Sequence, residues 1–260
     1  MNRRKLIRSI IGLVLAAAGL TAVLICRADA IAKDAATADK IIFAVGLIAT
    51  MVGIILLVTS LLPQRKPANI RTLTMAAMFA ALCYVGFAYF QIKIPVGDSA
   101  TSFHLGNVFC VLAALCIGGL WGGLAGSIGM TIGDLFDPVY ITSAPKTFVL
   151  KLGIGLIAGL VAHKIFKLSQ DPEKKRRVPL PVATVISCSA GMIFNIIADP
   201  VVGYFYKMYV MGIPQDAATI LAKMSAVTTS VNAVIAVIAA TIFYLALRPA
   251  LKKANLLPKL

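Results

Sequence analysis

The sequence predicts an all-α fold, a polytopic bundle of membrane-spanning helices. Three observations carry this expectation. The 260-residue chain is 60% hydrophobic and only 13% charged, where a soluble domain carries roughly 25% charged residues. Its mean hydropathy is +0.92. Uncharged runs near the ~20 residues that cross a bilayer recur along the whole length, and no charged, periodic segment long enough to fold alone separates them.

The flanking charges bracket the spans. Arg8 and Arg27 enclose the first, Lys40 and Arg65 the second, and Arg71 and Lys93 the third. Arg177 and Asp199 enclose the seventh, and Lys223 and Arg248 the eighth. The stretch from Ser99 to Gly133 is uncharged and too long for one span. As a single helix it would run about 52 Å, against a hydrocarbon core of about 30 Å. The cluster Gly118, Gly119, Gly122 and Gly123 around Trp121 therefore predicts a tight hairpin between a fourth and a fifth span, with Trp121 at an interface. A sixth span, Pro145 to Ala162, is acceptable only with Lys151 inside it. The opening "MNRRK", an apolar run and "RADA" imitate a signal peptide; the run is longer than a signal core, so an uncleaved helix is expected.

Eight spans put both termini on one side. The segments "MNRRKLIR", "QRKPANIR", "HKIFKLSQDPEKKRR" and "RPALKKANLLPKL" then share one face and hold 17 Lys and Arg against Asp171 and Glu173. The other face is balanced, so the net charge of +15 lies on one side. The positive-inside rule makes that side the cytoplasm of a multi-pass plasma-membrane protein. Topology thus accounts for the basic excess, and no nucleic-acid partner is needed.

Polar groups inside lipid are costly, so each marks a candidate site. On this topology His104 and Asn107 begin the fourth span, and Asp134 and Asp137 end the fifth. Lys151 lies within the sixth, Asn195 and Asp199 toward the outer end of the seventh, and Asn232 in the eighth. Each has a duller reading. Lys151 could snorkel to headgroups, the aspartates could cap a turn, and the asparagines could bond neighbouring helices. Their convergence on the outer half favours a substrate pocket with apolar walls and a few polar anchors. His104, Asn107, Asp134, Lys151, Asn195, Asp199 and Asn232 are its expected lining.

Two strips of small residues predict close helix packing. Gly122/Gly126 and Gly129/Gly133 place a flat strip on the fifth span, at the centre of the bundle. Ala76/Ala80 and Ala77/Ala81 repeat the spacing on the third span, near a basic loop, as internal packing or as a docking face for another protein. The five cysteines show no C-x-x-C spacing and read as small packing residues. The chain carries no G-x-x-x-x-G-K-[ST] loop, H-E-x-x-H or G-x-S-x-G, and its two histidines lie near no cysteine cluster. No enzyme, metal or cofactor is expected.

From Ile70 to about Arg248 the chain resembles the substrate-binding S component of an energy-coupling factor (ECF) vitamin transporter. The resemblance rests on the alanine pairs, the loop "QIKIPVGDSATSFHLGN", and the segments "GGLWGGLAGSIGMTIGDLFDP" and "APKTFVLKLGIGLIAGL". It implies a six-helix S-component-like core, residues 64–260, preceded by two extra transmembrane helices in residues 1–63. It implies capture of a water-soluble vitamin or vitamin precursor at the outer face for ATP-driven uptake. The partners implied are a transmembrane coupling subunit, touched by Ala76, Ala77, Ala80 and Ala81, and two cytosolic ATPase subunits. The loop from Gln91 to Phe103 is implied to close over the ligand. Riboflavin, pyridoxine, thiamine precursors, pantothenate and folate are all served by such proteins.

The alternatives are a self-sufficient ion-coupled secondary transporter of a small solute, using Asp134, Lys151 or Asp199 as a relay, and an accessory protein with no ligand. No inverted repeat of the kind that marks many secondary transporters is visible. The segregated basic loops lead to the first prediction. In sealed cells, introduced cysteines near Asp98 and Asp216 should be labelled from outside, and those near Glu173 and Lys253 should be protected. Labelling at Glu173 overturns the topology.

Overall fold

The computed structural model describes residues 3–31, 70–96, 99–169 and 178–254, together with single positions at 42, 45, 46, 49, 50, 53 and 256. Seven helices and one hairpin follow in order: α1 (Arg3–Ile31), α2 (Ile70–Ala88), β1 (Gln91–Val96), β2 (Ser99–His104), α3 (Gly106–Ile117), α4 (Gly119–Phe136), α5 (Ala144–Leu160), α6 (Leu180–Phe205) and α7 (Gln215–Lys253). Among the described residues four helical stretches are long and apolar enough to cross a bilayer: Ile70–Ala88, Ile141–Ile165, Leu180–Val210 and Gln215–Lys253. The expected membrane helix bundle is present, and α2 to α7 make up its six-helix core. Most of the second expected span, Lys40 to Arg65, lies outside the described residues.

The chain divides into two compact units, Met1–Pro67 with Tyr204–Ala218, and Ala68–Gly203 with Thr219–Leu260. In the first, Gly19 lies against Gly46 and Thr50, and Gly53 against Gly12 and Ala16, so small residues face small residues. The second unit holds every expected polar site residue.

The break inside the long uncharged stretch falls at Gly118. Its φ of 91° is one that only glycine adopts without strain, and it ends α3 while opening α4. Trp121, three residues on, is half-buried against the core.

Helix α4 is the hub, and its glycines are divided among three neighbours. A Cβ at Gly122 would overlap the Ala114 backbone, and one at Gly126 would overlap Cys110, so this pair faces α3. A Cβ at Gly129 would meet the Ala80 carbonyl, and one at Gly133 the Phe87 ring, so this pair faces α2. Toward α5, Gly119 and Gly123 meet Gly159 and Gly155, four residues apart on each helix. Ser127 continues this contact; its hydroxyl lies 2.9 Å from the Phe148 carbonyl of α5. Described cysteines Cys83, Cys110, Cys116 and Cys188 are buried and free, as packing residues should be.

The alanine pairs divide between two faces. Ala76 is buried, and Ala80 presents its backbone to Gly129, whereas Ala77 and Ala81 are exposed. Ala80 is thus held against the hub, while Ala77 and Ala81 lie on the exposed face of α2.

The glycine contacts yield a second prediction. Gly155→Ala places a Cβ into the Gly123 backbone and should destabilise the purified protein by about 1–3 kcal/mol. Gly203→Ala, where a Cβ would meet only the Lys146 Nζ at 3.6 Å, should be near neutral. Equal melting temperatures for the two variants would remove the backbone approach from the account of stability.

Candidate functional site

Four helices of the second unit carry buried polar groups. Gly118 sets the start of α4, which carries Thr131 and Asp134 one turn apart near its C-terminal end; both are buried. Thr147, on the first turns of α5, lies beside the Asp134 carboxylate. Lys151 is one turn further along α5 and only 7% exposed, so its ammonium is not snorkelling to the periphery. Asn107, on the first turn of α3, and Asn195, on α6, are each 1% exposed.

Packing sets α3 and α6 against α5 close to these residues. The Cys110 thiol, one turn on from Asn107, lies 3.6 Å from the Lys151 carbonyl. Gly153 of α5 packs against Phe194, the neighbour of Asn195. The Lys151 ammonium lies within the electrostatic reach of Asp199, Asp134 and Lys146, and His104 within that of Lys151 and Asp199.

Several of these polar atoms have no hydrogen-bond partner among the described residues. They are His104 Nδ1, Asn107 Oδ1, Thr131 Oγ1, Asp134 Oδ2 and Asn195 Oδ1. A buried polar atom left unpaired costs about 1–3 kcal/mol. A cluster of five such atoms is therefore costly unless something else fills their valences.

Asp199 is differently situated. Lys146 Nζ donates to its Oδ1 at 2.9 Å, while the Ser225 and Thr229 hydroxyls of α7 donate to Oδ2. The carboxylate thus ties α5, α6 and α7 together and is largely satisfied. It precedes Pro200, which cannot donate a helical hydrogen bond to the Ile196 carbonyl. Asp137, at the end of α4, pairs with Lys93 of β1, and its carboxylate accepts from the Val139 N–H. Lys146, which is nearer to Asp137 in sequence, pairs instead with Asp199.

The hairpin of β1 and β2 forms one wall. Its strands pair antiparallel from Gln91–His104 to Val96–Ser99. Both ends are tied to α2, by Gln91 Nε2 donating to the Ala88 carbonyl and by the Leu105 N–H donating to the Gly86 carbonyl. His104 ends β2, just before α3, and its ring meets Phe87 edge-on at 4.9 Å. Tyr140 stands beyond Phe87 at 6.3 Å, with the Lys93 ammonium 5.7 Å from its ring centroid. Burial raises the Tyr140 phenol above its ordinary value near 10, so it stays a neutral hydroxyl. Asn232 of α7 bonds β2 directly: its Oδ1 accepts from the His104 N–H and its Nδ2 donates to the Ser102 carbonyl, both at 3.0 Å. Thr228, one turn earlier, shares a 2.6 Å hydrogen bond with Thr101.

Sequence analysis missed Lys146, Thr131, Thr147, Ser225, Thr228 and Thr229. The last three had a readable signal. With Asn232 they form a polar stripe at spacings of three and four in an otherwise apolar helix, one face of α7.

A family described as ECF-type riboflavin transporter, S component, matches residues 67–249. The chain belongs to this family. No curated protein and no solved structure gave a match. As an S component the chain is a membrane-embedded, vitamin-capturing subunit of an ECF transporter, a family of transport proteins that work with ECF membrane and ATPase subunits. The matched region takes in α2 to α6, the hairpin and most of α7. All the polar residues gathered above therefore lie within the S-component region.

The Asp199 tie leads to a third prediction. Lys146→Met should cost about 3 kcal/mol, because it leaves a nearly buried carboxylate without its counter-ion. Adding Asp199→Asn should recover much of that loss. Additive losses in the double variant, measured by denaturant unfolding, would mean the two side chains do not act as a pair.

Proposed function

We propose that this S component captures riboflavin, or a close precursor of that vitamin, at the outer face of the cell membrane for ATP-driven uptake. The observation that carries the reading is the set of buried atoms with no partner among the described residues, His104 Nδ1, Asn107 Oδ1, Thr131 Oγ1, Asp134 Oδ2 and Asn195 Oδ1, together with the buried Lys151 ammonium. Riboflavin has an imide N–H between two ring carbonyls and a chain of hydroxyls. The N–H and hydroxyls suit the free amide and carboxylate oxygens, and a ring carbonyl suits the lysine. The rings of Phe87, His104 and Tyr140 offer an aromatic wall for a flat heterocycle. The family's own description names riboflavin, which narrows the choice among vitamins.

In this reading the chain is multi-pass with both termini in the cytoplasm, as the 17 clustered basic residues favour. Residues 1–63 form a separate pair of helices, and residues 64–260 the binding domain. Its partners are a transmembrane coupling subunit and two cytosolic ATPases. Of the four alanines expected at the coupling subunit, the exposed Ala77 and Ala81 make that contact, while Ala76 and Ala80 are occupied within the bundle.

The fourth prediction tests the site. Purified protein without ATP should bind riboflavin, read as a change in flavin fluorescence, and reconstituted alone it should not accumulate the vitamin in liposomes. Lys151→Met keeps the apolar stem and removes the charge. Loss of one hydrogen bond to a charged group, about 1.5–3 kcal/mol, should weaken binding roughly 10- to 150-fold. Affinity within about twofold of wild type, in a variant that melts normally, would remove Lys151 from the site. Accumulation by the protein alone would replace the S-component role with that of a secondary transporter.

A further inference from the structure

Sequence reasoning placed Asn232 among the ligand-contacting residues, yet both polar atoms of its amide are already engaged. They engage the Ser102 carbonyl and the His104 N–H, two residues apart on β2. That pair of main-chain groups is what a neighbouring strand would use. β1 occupies one edge of β2, and a free strand edge exposes a row of unpaired N–H and C=O groups. The single amide of Asn232 closes the other edge at that point, as one residue of a parallel third strand would.

A second bond repeats the contact. Thr228 is four residues before Asn232 and so lies on the same face of α7, and its hydroxyl meets Thr101 at 2.6 Å. Asn232 is 4% exposed and Thr228 is 2% exposed, so these bonds are shielded from competing water. On the opposite side the hairpin is held by Lys93 and Asp137, whose side chains are 43% and 12% exposed. A solvent-exposed ion pair contributes about 0–1 kcal/mol and weakens with salt. The attachments therefore differ in kind: β2 is held to α7 by buried neutral hydrogen bonds, and β1 to the end of α4 by an ion pair whose lysine is open to solvent.

We infer that Asn232 is a positioning residue, which with Thr228 clamps β2 to α7 and so sets His104 at the rim of the polar layer. It acts on the ligand through β2. The Lys93–Asp137 contact is the weaker attachment, from which the hairpin releases first. This inference rests on the riboflavin-capture reading only for its ligand arm; the clamp itself is a property of the unliganded protein.

The test uses the full-length protein in detergent and two readouts. Hydrogen–deuterium exchange of peptides covering residues 99–105 reports the clamp without any ligand, and stopped-flow flavin fluorescence reports riboflavin association and dissociation. Asn232→Leu keeps the size and removes both bonds. Exchange at 99–105 should rise about tenfold, the equivalent of roughly one to two hydrogen bonds, while exchange in α4 and α5 stays as in wild type. Riboflavin should dissociate faster by a similar factor, with its association rate little changed. Asn232→Asp, which still accepts from His104 but cannot donate to Ser102, should fall between Asn232→Leu and wild type. Lys93→Gln should leave exchange at 99–105 near wild type and abolish any salt dependence of dissociation. If Asn232→Leu does not fold, Thr228→Val and Asn232→Asp supply the same comparison.

Unchanged exchange at 99–105 in folded Asn232 variants would overturn the proposal. So would a loss of riboflavin affinity without a change in exchange, which would make Asn232 a direct ligand contact. Should the wild-type protein fail to bind riboflavin while the exchange pattern holds, the clamp stands and the riboflavin reading falls.

Discussion

The architecture depends on one constraint, the approach of the α4 backbone to three neighbours through glycines. Lipid offers no hydrophobic drive for one helix to leave it for another, so association rests on packing and hydrogen bonds. Glycine removes the side chain that would hold two backbones apart. In α4 this happens on three faces, toward α5 through Gly119 and Gly123, toward α3 through Gly122 and Gly126, and toward α2 through Gly129 and Gly133. The faces are used in succession along one helix: the α5 and α3 approaches lie in its N-terminal half and the α2 approach in its C-terminal half, which also carries Thr131 and Asp134.

The polar groups so gathered fall into two kinds. Lys146, Asp199, Ser225 and Thr229 satisfy one another and join α5, α6 and α7. His104, Asn107, Thr131, Asp134 and Asn195 each retain an unpartnered atom. The difference is physically informative. A complete network stabilises the fold, whereas an incomplete one in a low-dielectric interior is costly until a ligand completes it. Binding energy is available where the fold has left such valences open, and the paired residues hold the open ones in place.

The two faces of α2 differ in burial. The inward residues, Ala76, Phe79, Cys83, Gly86 and Phe87, are buried. Phe87 reaches the site itself through its contact with His104. The outward face carries Ala77 and Ala81 among exposed apolar residues such as Leu73, Met78 and Val85. One helix thus joins the aromatic contact at His104 to an exposed apolar face.

The membrane bundle was legible in the sequence because burial in lipid demands an apolar span of set length, and that demand acts residue by residue. The Gly118 break, the central role of α4 and the candidate set at His104, Asn107, Asp134, Lys151 and Asn195 follow from the same local cost of polarity and of strained backbone. The sequence alone also marked the S-component resemblance. It could not divide Ala76/Ala80 from Ala77/Ala81, because both pairs have the same spacing and only the position of α4 tells inside from outside. Nor could it show that Lys146 pairs with Asp199 across 53 residues, or that Asn232 serves the backbone of β2 across 128. A side chain's need for a hydrogen bond is written in its chemistry, but which group meets that need depends on which helices touch, and only the tertiary structure decided that.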